Sequence, residues 1–194
     1  MIWRYKMNDW TDIDYGPLTG LLGVWKGDKG LDVSPGLDGA VNSPYYEMIT
    51  FKAIGTVSNA KSQVLSAVRY LQVVQRKSDN EIFHDETGYW MWDPKNKIVM
   101  HSLVIPRAVC VLAGGKYTGE NDKAGNVMIE VTANINDKNW NIIQSPFMQE
   151  NARTTEFRQK ISAGNGKLSY TESMIVEIYG DVFEHTDRND LILQ

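Results

Sequence analysis

The sequence has little of several residue types, and each shortage excludes a class of protein. It holds one cysteine, Cys110, so no disulfide framework forms within the chain. No run of 18 apolar residues occurs, so we expect no membrane-spanning helix and no membrane partner. The first residues lack the apolar core of a signal peptide, which predicts a cytoplasmic protein.

Basic residues and histidines are also scarce. The chain carries 20 Lys and Arg against 24 Asp and Glu, a formal net charge of −4, so we expect no nucleic-acid partner. The sequence signatures of nucleotide-binding loops, serine hydrolases and Cys-x-x-Cys sites are absent. Only three histidines, His84, His101 and His185, are available as metal or haem ligands.

Aromatic residues are plentiful, with six Trp, nine Tyr and five Phe, and many lie in segments that alternate apolar and polar residues. Val127, Ile129 and Val131 share one face of such a segment, and polar side chains occupy the other. A period of two is typical of a strand with one buried and one wet face. Further strands are predicted at about 46–56, 65–76, 81–92, 97–105, 108–117, 154–161, 167–178 and 188–193.

Residues that tolerate tight turns separate these strands at short intervals, at 93–97, 119–125, 136–139 and 164–166. Nine or ten consecutive antiparallel strands joined in this way predict an up-and-down meander. Closure into a barrel removes exposed strand edges, so we predict an all-β antiparallel barrel of about ten strands. A β-sandwich is the structural alternative.

Two short helical segments are predicted within this all-β chain. Pro17 interrupts the segment 11–22, which favours one or two turns after Gly16. A second turn is predicted at 145–150, with Ser145 as the N-cap and Pro146 in the first position. We predict one domain, with an N-terminal arm and capping helix over 1–20 and the barrel over 21–194. Such a barrel holds either a small ligand or a filled core, and both remain open.

The segment after the first helix carries a Gly-x-Trp-x-Gly pattern at Gly23, Trp25 and Gly27. Its Gly-x-Trp resembles the start of the lipocalin-like (calycin) and fatty-acid-binding barrels. The longer pattern resembles the nitrobindin family of haem-binding β-barrels. Further ordered similarities, which extend the resemblance to nearly the whole chain, lie at 46–55, 70–74, 83–90 and 168–174 and at His185.

The resemblance implies a b-type haem in the barrel, with His185 before the last strand as the proximal iron ligand. It also implies reaction with NO and isomerisation of peroxynitrite to nitrate. The sequence departs from the family at Lys29, where a third Gly is usual, and over 105–115. It also departs over 30–44, which we expect to be a connection longer than the usual one. These departures keep an alternative open, a non-catalytic carrier of a fatty acid or another small hydrophobic ligand. A homodimer also stays open.

Other polar residues are candidate cavity groups. His84 and Glu86 share one strand face, either as a hydrogen-bonded pair or as two ligands of a metal ion that would need a third from elsewhere. His84 is also a candidate distal group facing a bound ligand. His101 is expected to be a structural histidine or a polar group in the cavity. Arg107 is expected to form a salt bridge or to bind a ligand carboxylate, such as a haem propionate. Cys110, between two valines, is predicted to be an inert buried thiol.

Overall fold

Eleven antiparallel strands form one sheet that closes on itself in the computed structural model, which describes residues 13–194. The part of the predicted N-terminal arm before residue 13 lies outside the described residues. The strands are β1 (Gly23–Gly36), β2 (Gly39–Asn59), β3 (Gln63–Arg76), β4 (Ile82–Asp93), β5 (Ile98–Ile105), β6 (Val109–Lys116), β7 (Val127–Asn134), β8 (Asn141–Gln144), β9 (Ala152–Gly164), β10 (Lys167–Ile178) and β11 (Asp181–Leu193). A 3₁₀ helix (Gly16–Leu21) precedes β1, and α1 (Pro146–Asn151) precedes β9.

The strands follow one another around a ring. β1 to β7 pair in chain order, β7 pairs with β9, β9 with β10, β10 with β11, and β11 returns to β1. The short β8 pairs with β6 outside this ring of ten strands. The predicted all-β closed antiparallel barrel is confirmed, and a sandwich is excluded because every strand of the ring pairs on both sides.

Three segments differ from the sequence expectation. The stretch 30–44, expected to be a long connection, extends β1 and β2 into a hairpin. β8 forms where no strand was predicted. β11 begins at Asp181 instead of about 188, so His185 lies inside the last strand and not before it. The first half of β11 is polar and faces a partly open region, and it therefore lacks the apolar alternation that marks a strand.

A β-bulge in β1 explains one departure from the family pattern. The pairing register with β2 shifts between Gly27 and Gly30. A Cβ atom at Gly30 would lie 2.0 Å from the ring of Tyr45, so only glycine fits there. The glycine that is missing at Lys29 is therefore supplied one residue later, and the bulge absorbs the extra residue.

The 3₁₀ helix closes one end of the barrel, here called the helix end. Leu18 and Leu21 are fully buried, and Trp25 is 1% exposed. The Trp25 indole Nε1 donates a hydrogen bond to the Leu21 carbonyl oxygen at 2.6 Å, which ties β1 to the helix. The predicted short turn after Gly16 is thus observed, and Trp25 plugs the barrel beside it. Other large buried side chains fill the core around it, among them Phe51, Val68, Trp90, Trp92, Ile161, Leu168 and Leu191.

The opposite end, here called the open end, is less covered. Along β11, Leu191 and Asn189 are buried, whereas Asp187 and His185 are only half-buried. On β10, Met174 is half-buried, but Val176, closer to the turn into β11, is buried. The accessible inward-facing side chains at this end therefore lie mainly on β11.

The predicted second helical turn is α1, which packs against β9 at the open end. The Ser145 hydroxyl caps this helix by accepting a hydrogen bond from the backbone N–H of Met148 at 3.3 Å. Neither of the two six-residue helices in residues 13–194 is long and apolar enough to cross a membrane.

Cys110 is exposed on the outer face of β6, so the predicted buried thiol is wrong. Val109 and Val111 point inward and are buried. Because successive side chains in a strand face opposite sides, the residue between two inward valines must point outward. The apolar run 109–113 therefore does not mark a strand that is buried on both faces.

Replacing Trp25 with alanine should lower the free energy of unfolding by about 3–5 kcal/mol, because it removes a buried indole and leaves a cavity. Tyr89→Ala is the control, since the Tyr89 ring is 43% exposed on the outer face. We expect the control to change stability by only about 0.5 kcal/mol. Urea denaturation measures both values, and equal losses in the two variants would contradict the plugging role of Trp25.

Candidate functional site

A layer of buried polar side chains lies inside the barrel between the helix end and the open end. No lysine or arginine in residues 13–194 is among the buried residues. Carboxyl groups in this layer are therefore stabilised by hydrogen-bond donors, by protons and, at Glu86, by the His84 imidazole, not by lysine or arginine. The buried members of the layer are Tyr45, Glu47, Tyr70, Gln72, Glu86, His101, Gln159, Tyr170 and Asn189.

Glu47 on β2 is the centre of one hydrogen-bond network. Its carboxylate accepts from the Gln72 Nε2 at 2.7 Å, the Tyr170 hydroxyl at 3.0 Å and the Asn189 Nδ2 at 2.7 Å. Burial nevertheless raises the pKa of Glu47 to about 8, since removing a charge from water outweighs these donors. The Tyr170 and Tyr45 hydroxyls lie 2.8 Å apart and extend the network toward the open end.

A second network links the open end to the interior. His84 Nε2 lies 3.5 Å from a Glu86 carboxylate oxygen, and the Tyr70 hydroxyl donates to the other oxygen. Tyr70 also contacts His101 Nε2 at 2.9 Å, and the His101 ring stacks on Trp90 with centroids 4.0 Å apart. Burial lowers the pKa of His101 to about 4, so this imidazole is neutral at pH 7. The pKa of His84 lies above its usual value. Burial alone would lower this pKa, but the neighbouring carboxylates, Glu86 first, outweigh the effect of burial.

His185 on β11 faces the open end, and its imidazole is held by a buried carboxylate. Its Nε2 lies 2.6 Å from Oδ1 of Asp32 on the neighbouring strand β1. The His185 side chain is 23% exposed and that of Asp32 only 5%. The Ser34 hydroxyl donates to the second Asp32 oxygen at 2.9 Å. This arrangement fixes the imidazole while one ring edge stays accessible.

Asp187 lies beside this pair. The Tyr45 hydroxyl donates to its carboxylate. Burial raises the pKa of Asp187 to about 7, and the nearby Asp32 charge adds to the rise. Asp32, His185 and Asp187 each offer one donor atom, and these atoms all lie within 4.8 Å of one another. One imidazole and two carboxylates are a donor set suited to a divalent transition-metal ion.

The open end carries some of the features that a haem requires. Met174 pairs with His185 across the β10–β11 ladder. The faces of a haem need apolar contacts, and partly buried apolar side chains lie at this end, namely Phe83, Ile105, Met148, Met174 and Phe183. An iron-binding imidazole needs one free nitrogen and a partner for the other. Because Asp32 holds Nε2 of His185, an iron could take this nitrogen only if that contact were broken.

The structure brings together only some of the predicted site residues. His84 and His185 both lie at the open end. Arg107 is exposed in the β5–β6 turn at the same end, with its Nη2 3.5 Å from the Phe83 carbonyl oxygen, and it forms no ion pair with a carboxylate of residues 13–194. His101 lies deeper, and its Nδ1 has no hydrogen-bond partner within that range.

Asp32, Asp187 and Tyr45 were not identified as site residues from the sequence. Asp32 falls in the stretch that was expected to be a connection. Asp187 lies two residues after His185, and Tyr45 two residues before Glu47, so each shares a strand face with a polar neighbour. Polar residues at alternate positions within predicted strands are the signal that could have revealed a polar interior.

The raised pKa of Glu47 predicts a pH-dependent stability. Between its usual value of 4.5 and about 8, folded Glu47 holds a proton that the unfolded chain has released. The free energy of unfolding should therefore fall as pH rises through this window and level off above it. In Glu47→Gln this contribution is absent, so the stability of the variant relative to the wild type should increase from pH 4.5 to pH 8.

Urea denaturation of both proteins across this range measures the difference. The altered hydrogen bonds of Glu47→Gln change its stability by the same amount at every pH. They therefore do not affect the slope of the stability difference against pH. Glu184→Gln, at an exposed position of β11, is the control and should run parallel to the wild type. If the free energy of unfolding of Glu47→Gln also changes with pH as that of the wild type does, Glu47 is not protonated in the folded protein.

Comparison with known proteins identifies the family. No curated protein sequence matched the chain. The crystal structure of Rv2717c from M. tuberculosis is similar in fold, with a TM-score of 0.64 and 20% identity over 91% of this chain and 94% of that one. The family model described as the THAP4-like, heme-binding beta-barrel domain matches residues 14–192. The predicted nitrobindin-like resemblance is thus confirmed, and the chain belongs to the THAP4-like, heme-binding beta-barrel domain family.

Proposed function

We propose that this protein binds haem b at the open end of the barrel through His185, and that the bound haem reacts with NO or peroxynitrite. The observation that carries the proposal is the position of the His185 imidazole, which is 23% exposed at the open end of the barrel. Membership of a haem-binding family supports it independently.

His185 is a better candidate ligand than either other histidine. His84 is similarly accessible, at 26% exposed, but its carboxylate partner is 3.5 Å away, too far for a well-fixed ring. His101 is fully buried between Trp90 and Tyr70, so a haem iron could reach it only after the core had opened. Only His185 combines access from the open end with a short hydrogen bond on one ring nitrogen.

The other residues at this end have supporting roles in the proposal. Met174, Phe83 and Phe183 would contact the faces of the macrocycle and exclude water from the side of His185. Arg107 is a rim cation available to a propionate, whose charge would be costly to bury in the interior. A haem held by His185 would supply the iron at which NO or peroxynitrite reacts.

The carrier alternative has no structural observation in its favour. An acyl chain inside the barrel would lie against the buried carboxyl groups of Glu47 and Glu86 and against three tyrosine hydroxyls. Contacts of this kind do not favour methylene groups, and displacing the side chains would leave buried polar groups unpaired.

Titration of the haem-free protein with hemin tests the proposal. We expect the wild type to bind hemin with a shifted Soret band. His185→Ala should weaken binding by more than the roughly 10–100-fold that loss of an outer-shell partner costs, because it removes the ligand itself. His84→Ala is the matched control at the same end and should keep the wild-type Soret position. Addition of NO to the ferric protein should shift the spectrum further.

Two results would contradict the haem proposal. One is a wild-type protein with no Soret shift, and the other is an unchanged spectrum and affinity in His185→Ala. Native mass spectrometry of protein purified from cells distinguishes the alternative, because a copurified lipid in place of haem would favour the carrier.

A further inference from the structure

The pairing of β1 with β11 sets two carboxyl groups opposite each other inside the barrel. Asp32 pairs directly with Asp187 in this antiparallel ladder, so the two side chains share the inner face of the sheet. Like charges directly opposite one another destabilise a pair of strands. Within residues 13–194, no lysine or arginine forms a salt bridge with either carboxyl group. The closed barrel therefore places two acidic groups together without a basic side chain to balance them.

His185, two residues before Asp187 on β11, completes a cluster of three metal-binding side chains. Its Nε2 lies 2.6 Å from Oδ1 of Asp32. Asp32, His185 and Asp187 each offer one donor atom such that all three atoms lie within 4.8 Å of one another. Donor atoms on bonds of about 2.1 Å to one ion lie roughly 3–4 Å apart. The spacing of the cluster is thus close to that of a site with three protein ligands.

A hydroxyl group orients each of the two carboxylates. The Ser34 hydroxyl donates to Oδ2 of Asp32 at 2.9 Å, and the Tyr45 hydroxyl donates to Oδ1 of Asp187. Outer-shell hydrogen bonds of this kind hold metal-binding carboxylates in place. They engage one oxygen of each carboxylate and leave the other oxygen for an ion.

We propose that Asp32, His185 and Asp187 bind a divalent transition-metal ion such as Zn²⁺, through Nε2 of the imidazole and one oxygen of each carboxylate. The ion takes the place of the proton between His185 Nε2 and Asp32, so both atoms of this contact become ligands. Two carboxylates balance the charge of the dication. Three protein ligands leave a further coordination position for water or a small ligand, on the side where His185 is 23% exposed.

This site goes beyond the proposed haem binding and excludes it while the ion is bound, because both need Nε2 of His185. A haem iron could take this nitrogen only after the contact with Asp32 had broken. A small ion instead uses the two atoms of that contact where they lie. The metal site can therefore be tested without haem.

Titration of the haem-free protein with Zn²⁺, followed by calorimetry, measures the affinity and the number of ions bound. We expect one ion per chain in the wild type. His185→Ala, Asp32→Asn and Asp187→Asn should each weaken Zn²⁺ binding by more than roughly 100-fold. Loss of an outer-shell partner alone costs about 10–100-fold, and each of these variants removes an imidazole or a charged ligand. Ser34→Ala keeps all three ligands and should stay within the outer-shell range.

Two variants are matched controls. Asp190→Asn removes a carboxylate at an exposed position of the same strand, and His84→Ala removes the other accessible histidine of the open end. Both should keep the wild-type affinity for Zn²⁺. Asp187→Asn decides the matter if Asp32→Asn folds poorly, because Asp187 is half-buried whereas Asp32 is buried. Titration with Co²⁺ adds an optical readout, since the visible absorption of the bound ion reports its ligands and should change in Asp187→Asn but not in His84→Ala.

A wild type that binds neither ion would overturn the inference, and so would unchanged Zn²⁺ affinity in the three ligand variants. Loss of binding in His84→Ala would also overturn it, because the ion would then lie elsewhere. Hemin titration of Asp32→Asn separates this inference from the proposed function. The variant frees Nε2 of His185, so it should lose Zn²⁺ binding and keep or strengthen hemin binding. A wild type that binds Zn²⁺ but no hemin would support the metal site and refute the proposed function.

Discussion

The pairing of the first strand with the last is the interaction on which the rest of the structure depends. β1 and β11 form an antiparallel ladder that removes the two edges a ten-stranded meander would otherwise expose. The same ladder brings Asp32 to His185. A register slip of one residue would turn these side chains to opposite faces of the sheet. Closure of the barrel and assembly of the candidate site are therefore one structural event.

The interior of this barrel handles charge by taking up or releasing protons. Burial raises the pKa of Glu47 and Asp187 and lowers that of His101, so each group shifts toward its neutral form. Burial also raises the pKa of Glu172 well above its usual value. Tyrosine hydroxyls and side-chain amides supply the hydrogen bonds that these groups lose from water. Glu86 is the exception, because burial raises its pKa but the His84 imidazole beside it lowers this pKa below its usual value. A polar layer thus persists in a core that contains no lysine or arginine among residues 13–194.

This polar layer divides the barrel into two regions of different chemistry. Toward the helix end, Trp25 and the leucines around it form a dense apolar plug. Toward the open end, Met174 lies opposite His185 in the β10–β11 ladder, and both side chains are half-buried. The division supports a ligand that stays at the open end, where an imidazole and apolar contacts occur together. The buried carboxyl groups beneath it oppose deeper entry of an apolar or anionic group.

Local pattern was sufficient for most of the architecture. Alternation along 126–134 and 154–161 predicted strands that are present as β7 and β9, and Ser145 with Pro146 predicted α1. The pattern failed at the first half of β11, where polar residues face the open end, and at Cys110, whose apolar neighbours concealed an outward position. Both failures arise because the burial of a strand face depends on what packs against it.

By itself, the sequence determined the strands, the turns, the closure expected of a long meander, and the same-face placement of His84 and Glu86. Each of these follows from residues a few positions apart, through the period of two and the conformations that turn residues tolerate. The resemblance singled out His185. Only the tertiary structure decided that Asp32 is its partner, that Asp187 is held by Tyr45, and that Glu47 lies at the centre of a buried network. Such contacts depend on the register between strands distant in the chain, and local sequence does not encode that register.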